Sequence, residues 1–243
     1  MPLEALIARG YEIEFYSHAL SILSVDFPAA LAEIEEVLAT TTIPIKEIIG
    51  SGGGEAAGTQ RMRRALAQRG WVGTNFEIKK IVNGVEKEAI SHAIDHVKHF
   101  ERGTLALEIE WNNKDPFFDR DLENFKRLHA EGAISVGMIV TRGASLQAAL
   151  RPAVLRYAAE HAIGSFGDLA AQAIQPTQRQ RKEIERRVTK GQGFAEAWAT
   201  VFVSDKFGEA TTHWRKLQDR SRRGGGNPCL LLLIGSADLV LSL

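Results

Sequence analysis

The chain has 243 residues, 44% apolar and 25% charged, with 30 basic side chains balanced by 30 acidic ones. That length allows one sizeable core, and the lone cysteine, Cys229, excludes an intramolecular disulfide. A net charge of zero excludes no class of partner, because phosphate is held by local field and not by total charge.

The first clear element is a helix over Pro28–Ala39. Asp26 is placed to cap it, and proline suits a first turn that needs no amide donor. Ala30, Leu31, Ile34, Val37 and Leu38 fall on one face of it. Ser51 and the three glycines after it mark a flexible break. A second helix follows near Gln60–Gln68 and carries Arg61, Arg63, Arg64 and Arg69 with no acid. Phe76–Val82 alternates apolar and charged residues as a half-buried strand does, and Asn83-Gly84 signals a hairpin turn. Ala93–Phe100 and Thr104–Trp111 read as strands joined by a short turn at Glu101, Arg102 and Gly103.

Asp115-Pro116 then opens a helix that Gly132 closes, with Leu122, Phe125 and Leu128 facing inward. Ala133–Thr141 is a β-rich apolar run, best read as a central strand. Strand, helix and strand in this order make a crossover, which implies a parallel pair beside an antiparallel meander. The expected fold class is therefore α/β, a mixed central β-sheet flanked by helices. Further helices are expected near Leu146–His161 and Gln178–Val188, a strand near Trp198–Val203, and a buried strand in the apolar run from Cys229 onward. That run is too short to span a bilayer as a helix. The N-terminus lacks the order of a signal peptide, so the expected location is cytoplasmic. Residues 1–243 read as a single domain.

The informative segment runs from Asp95 to Glu110. Residues two apart in a strand share a face, so Glu108 and Glu110 point one way, with Leu105, Leu107, Ile109 and Trp111 on the other. Folding back at Arg102 sets Asp95 opposite Ile109, within one residue of either glutamate. Converging carboxylates repel unless a cation or proton intervenes. Oxygen ligands without a Cys or His cluster favour Mg2+, with Mn2+ as a substitute, and such an ion suits phosphodiester hydrolysis. Alternating acids in an edge strand would merely face solvent. This strand feeds the crossover, however, and belongs inside the sheet, where unpaired acids are costly. His92, His96 and His99 are split between strand faces, which argues against a zinc site.

Asp95 followed by Glu108-x-Glu110 resembles the PD-(D/E)xK nuclease core. The block from Glu108 to Leu122, EIEWNNKDPFFDRDL, running on to GAISVGMIVTRG ending at Gly143, is similar to the BglII/BstYI group of type II restriction endonucleases, with the closer likeness to BstYI. The likeness is strongest from Asp95 to Gly143 and returns at Ser204–Trp214 and Gly226–Gly235. It implies a restriction-endonuclease-like fold with a catalytic core at about residues 71–143, with recognition and dimerisation elements on both sides. It implies Asp95, Glu108 and Glu110 as catalytic residues, with Asp95 and Glu108 as the principal metal ligands. Glu110 stands where many of these nucleases have lysine, which points to water activated by the metal and not by a lysine. Lys114 falls just past the strand and reads as a DNA contact. Thr74, Asn75 and Glu77 are equal candidates for a further polar residue of the site.

Three stretches are basic enough to meet phosphates: Arg61–Arg69, Thr177–Lys190 and Asp205–Arg223. In a chain without net charge they imply charge separation suited to a duplex-binding cleft. Asn113 and Lys114 leave the acidic strand, Ser145 follows the central strand, and Lys206, Thr211, Thr212 and His213 lie in or beside a polar loop. These are the candidate DNA-binding residues. Cleavage at a palindrome favours a twofold homodimer. The resemblance further implies a GATC-core target such as RGATCY or AGATCT, 5′ overhangs, and a cognate DNA methyltransferase in the host. The alternatives from the residues alone are a structure-specific nuclease of repair or recombination and a non-catalytic DNA-binding protein of the same fold.

Overall fold

The structure is a computed structural model that describes residues 2–50 and 56–242. The expected break at Ser51 and its glycines lies outside the described residues. In chain order the elements are α1 (Glu4–Ala8), β1 (Glu12–Tyr16), α2 (Ala19–Asp26), α3 (Pro28–Ala39), β2 (Ile43–Pro44), α4 (Ile45–Ile49), α5 (Ala57–Gln68), β3 (Val72–Val82), β4 (Val85–Phe100) and β5 (Gly103–Glu110). They continue with α6 (Pro116–Ala130), β6 (Val136–Arg142), α7 (Ala144–Glu160), α8 (Phe166–Ala171), α9 (Gln178–Thr189), α10 (Phe194–Phe207), α11 (Trp214–Arg222), β7 (Leu230–Ser236) and β8 (Leu241–Ser242).

The main sheet has the strand order β1-β7-β6-β5-β4-β3. Strands β5, β6 and β7 are parallel, while β1, β3 and β4 pair antiparallel with their neighbours. This is the mixed α/β sheet that the crossover β5-α6-β6 dictates. β5 lies inside it, between β4 and β6. A separate parallel pair joins β2 to β8.

Each face of the sheet carries its own core. Leu105, Leu107, Ile109 and Trp111 pack with Val136, Val140, Ile234 and the helical layer that includes α3, α7 and α10. On the other face Ala106, Ile139, Leu231 and Leu233 meet Phe118, Leu122, Phe125 and Leu128 of α6. α6 lies so close to β6 that a Cβ on Gly137 would come within 2.4 Å of the Phe125 ring, which is why the strand carries glycine there.

The hairpin predicted at Asn83-Gly84 forms with positive φ at both residues, 51° and 78°, as a tight two-residue turn requires. Its strands run further than the alternation indicated, because β3 starts at Val72 and β4 at Val85. Trp71 and Lys98 anchor the hairpin's base to α3, both donating to Glu33, at 2.8 and 2.6 Å.

Two local expectations are corrected. Asp26 does not cap α3. Phe27 precedes that helix without a side-chain cap, while Asp26 closes α2 and accepts from Arg102 at 2.7 Å. The segment Trp198–Val203 is part of helix α10, not a strand. Its β-branched and aromatic composition mimics a strand, but Ala197, Trp198, Ala199, Val201 and Phe202 are all buried in a helix packed among others. A helix apolar on most sides loses the periodic signature that would reveal it. The acid ahead of α6 is also used differently: Asp115 sits at the cap position, yet its carboxylate pairs with Lys216 and Arg220 of α11.

Candidate active site

The acids are brought together by a turn, a bulge and a helix. β4 and β5 are joined across Glu101-Arg102, and the ladder sets His96 opposite Leu107 and Val97 opposite Ala106. One further step of that register places Asp95 opposite Glu108, one residue from the pairing expected of a turn centred on Arg102. Against β3 the register shifts between Val72 and Thr74, so Asp95 and His96 both face the single residue Gly73. That bulge falls on the candidate metal ligand, the kind of position where extra residues re-aim a side chain.

Asp95 is exposed, whereas Glu108 and Glu110 are 2% and 3% exposed. They share the face of β5 that α6 covers, and α6 adds a fourth acid, Asp121, which is completely buried. Burial, and then the neighbouring charges of Asp121, Asp95 and Glu110, pushes Glu108 up to about 10. Burial and Asp121 likewise raise Glu110, and burial raises Asp121. Arg120 opposes the group with Nη2 at 2.7 Å from Asp121 Oδ1 and 3.5 Å from Glu110 Oε1. Oδ2 of Asp121 has no hydrogen-bond partner.

Asp121 was not singled out from the sequence, although a signal existed. It occupies the inner stripe of α6 with Phe118, Leu122 and Phe125, and a carboxylate on an apolar stripe calls for a partner.

The candidate DNA-binding residues divide into groups. Asn113 Nδ2 donates to Glu110 Oε2 at 2.5 Å, and its carbonyl accepts from the Thr212 amide at 2.9 Å. Lys114 and Thr211 form an antiparallel bridge. Asn113, Lys114, Thr211 and Thr212 are therefore held together beside Glu110, with His213 next in the chain. Thr211, Thr212 and His213 are buried, not exposed in an open loop. Thr212 Oγ1 and His213 Nε2 lack hydrogen-bond partners. Beneath them lies Arg142, unforeseen from the sequence and fully buried, which donates to Thr211 Oγ1 at 2.8 Å and to the Thr212 carbonyl at 2.5 Å. Its guanidinium stacks 4.8 Å from the Phe207 ring centroid, and burial pulls it down to about 9.

Ser145 begins α7 just past β6 and accepts from the Asp238 amide at 3.2 Å. Because Glu110 pairs with Thr141, and Arg142 with Ser236, the loops carrying Asn113, Ser145 and Asp238 leave the same end of the parallel strands. Lys206 is set apart, in the last turn of α10, where it lines a cavity with Asp205, Gln180 and Trp198. Thr74, Asn75 and Glu77 all lie on β3. Thr74 pairs with Ile94 beside the bulge, Asn75 accepts from Ser91, and Glu77 pairs with Lys79. The three histidines point to different partners: His92 to Asn124, His96 to the Leu107 carbonyl and His99 to Thr104.

The basic stretches are less free than their composition indicates. Arg61 binds Glu47, Arg69 binds Glu36, Arg186 and Arg187 share Glu183, and Arg220 holds Asp115 and Asp119. Such surface pairs are weak, so phosphate can displace them, but the free chain is not sharply charge-separated there.

Asp95, Glu110 and Asp121 thus all bear electrostatically on Glu108 across β4, β5 and α6, although among the described residues no group of three or more His, Cys, Asp or Glu is placed to hold a metal ion. The family model for restriction endonuclease BglII/BglIII matches residues 11–236. The chain belongs to that family. As a BglII/BglIII family member it is a type II restriction endonuclease, a hydrolase that cuts double-stranded DNA. The match covers both halves of the sheet, from β1 to β7, and not only the segment with the acids. A comparison with curated proteins finds no match. Enzymes of this family generally use Mg2+. Among the described residues no helix is long and apolar enough to cross a membrane.

Proposed function

We propose that residues 1–243 form one restriction endonuclease domain, with its catalytic core at about residues 71–143, that cleaves a short GATC-core palindrome such as RGATCY or AGATCT and leaves 5′ overhangs. Asp95, Glu108 and Glu110 are the catalytic residues, and Asp95 and Glu108 hold Mg2+, for which Mn2+ substitutes. The donor set is all oxygen, as such an ion needs, and Glu108 receives no hydrogen bond among the described residues; no group of three or more His, Cys, Asp or Glu among those residues is placed to hold an ion, so water and substrate phosphate would have to complete its shell. When bound, the ion supplies Lewis acidity toward the phosphate and a lowered pKa for water.

The chain's own side chains do the rest. Asp95 stands at the exposed mouth, where phosphate arrives, and Glu108 lies behind it in the sheet. Glu110 is held by Asn113, which donates to it at 2.5 Å, and touched by Arg120 at 3.5 Å. Asn113 in turn carries the strand's end into the segment with Thr211, Thr212 and His213. Asn113, Lys114, Ser145, Lys206, Thr211, Thr212 and His213 contact DNA. Thr212 Oγ1, buried with no hydrogen-bond partner, favours this reading, because such an atom is costly and a base edge or its water would satisfy it; His213 Nε2 lies 3.6 Å from Glu209 and makes no hydrogen bond.

A palindromic target calls for two such centres related by a dyad, hence a homodimer acting in the cytoplasm of a host that carries a cognate DNA methyltransferase. The family match over residues 11–236 carries the proposal, and the nearness of Asp95 and Glu110 to the buried Glu108 supports its site. Plasmid DNA incubated with the protein and Mg2+ should give discrete fragments whose sequenced ends share a GATC core and a 5′ extension. Nicking confined to branched DNA would replace it with a structure-specific nuclease. Duplex binding that is unchanged by Glu108→Ala and never followed by cutting would replace it with a non-catalytic binder.

A further inference from the structure

Arg120 is the cation in contact with Glu110 and Asp121, and it is badly matched to them. Arg120 places Nε and Nη2 on the same oxygen, Asp121 Oδ1, at 2.9 and 2.7 Å. Its contact to Glu110 is long, at 3.5 Å, and Asp121 Oδ2 is left buried with no partner. A guanidinium that completed this site would fork across both carboxylate oxygens. The Arg120 side chain is also 52% exposed, while the carboxylates it touches are 4% and 0% exposed, so it reaches in from the rim. Its other contact is the Phe117 ring, at 4.4 Å, on the same helix and three residues before it.

We infer that Arg120 is the resident cation of the free enzyme, a side-chain plug that a divalent ion displaces from Asp121 and Glu110 on entering the acid cluster. The inference rests on the proposed metal site and adds Arg120 and Asp121 to it: Arg120 as a competitor for the carboxylates, Asp121 as the buried acid whose second oxygen is free. No covalent step is involved. One cation leaves, one enters, and the long arginine side chain swings toward solvent along α6.

Competition makes a prediction opposite in sign to a structural role. Removing an arginine that merely braces the site should loosen metal binding, whereas removing a plug should tighten it. Mn2+ binding to the DNA-free protein, measured by titration calorimetry and by the loss of the free-ion paramagnetic resonance signal, reads this directly. Arg120→Gln should bind Mn2+ about tenfold more tightly than the unaltered chain, the equivalent of ~1.4 kcal/mol. Arg120→Lys, which keeps the charge with fewer contacts and guards against misfolding of the neutral variant, should fall between the two. Glu108→Gln should lose the binding and so locate it. Equal or weaker affinity in Arg120→Gln, with binding still dependent on Glu108, would overturn the plug and leave the metal site standing. No Mn2+ binding by either chain would overturn both.

Discussion

Asn113 holds Glu110 through its side chain and Thr212 through its backbone, so one residue joins the acidic strand to the loop ahead of α11. The Nδ2 hydrogen bond fixes the orientation of a carboxylate whose other polar contact is the long one to Arg120, at 3.5 Å. Partners that orient a metal-site carboxylate typically matter by about 10–100-fold in activity or metal affinity. Asn113→Ala should therefore lower the cleavage rate by about that factor. The backbone bond to Thr212 survives the substitution, so the duplex affinity measured by gel shift should fall much less. Equal losses in both assays would make Asn113 a base contact and not an orienting residue.

Replacing Glu108 should separate stability from activity. Glu108→Gln keeps the shape of the side chain and removes a carboxyl that burial and three neighbouring acids all oppose. Without metal, the variant should melt a few degrees above the unaltered chain, since in a chain of this size ~1 kcal/mol is worth about 2–4 °C. Cleavage should fall by about a thousandfold or more, the loss expected when several kcal/mol of metal-dependent stabilisation disappears. Scanning fluorimetry with a chelator and plasmid cleavage with Mg2+ test the two halves separately.

The same crowding sets a pH dependence. Glu108 has a folded pKa of about 10 against an ordinary value of 4.5, and Glu110 and Asp121 are raised as well. Over this interval the folded chain binds more protons than the unfolded one, so its stability declines with rising pH. The contribution is fully present below about 4.5 and is lost as the pH climbs through the alkaline range toward 10. Chemical denaturation in a chelator should thus give a lower midpoint at pH 8.5 than at pH 6, with a slope of up to ~1.4 kcal/mol per pH unit for each proton involved. Mn2+ should flatten the slope, because a cation stabilises the ionised acids directly. A midpoint that rises with pH in the chelator would show that the acids are not buried together.

The sheet was legible where local rules and long-range packing agree. Asn83-Gly84, the alternation along β5 and the Pro116-to-Gly132 helix each announce themselves within a few residues, and together they dictate the crossover and the two faces of the sheet. Glu108 and Glu110 were readable for the same reason, since a strand's period of two needs no tertiary knowledge. The rest depends on distant chain. β1 carries a short alternation, Glu-Ile-Glu-Phe-Tyr, but its place at the edge beside β7 depends on residues more than two hundred positions away. The bulge at Asp95 arises from the match between β3 and β4, while the one-residue difference in its pairing with β5 comes from the turn, which centres between Glu101 and Arg102. α10 was misread because burial on most sides erases periodicity. Asp121 and Arg142 stayed hidden because their importance lies in what surrounds them: an acid facing three acids, and an arginine under a threonine loop.

Arg142 gives the sharpest test of that last relationship. Its Nε and Nη1 are buried without hydrogen-bond partners, while Nη2 alone serves Thr211 and Thr212. A buried charge served so incompletely weakens the fold, because burial opposes its charged form and no carboxylate is paired with it among the described residues. Met fills much of the same space and can still lie against the Phe207 ring. Arg142→Met should accordingly raise the thermal midpoint of the free protein, although the Thr212 carbonyl loses its donor. Cleavage should drop, because the segment from Thr211 to His213 is no longer pinned over the end of β6 beside Asn113. Scanning fluorimetry and timed plasmid digestion on the same preparation measure both quantities. A variant that is less stable and equally active would show that the buried guanidinium serves the fold alone.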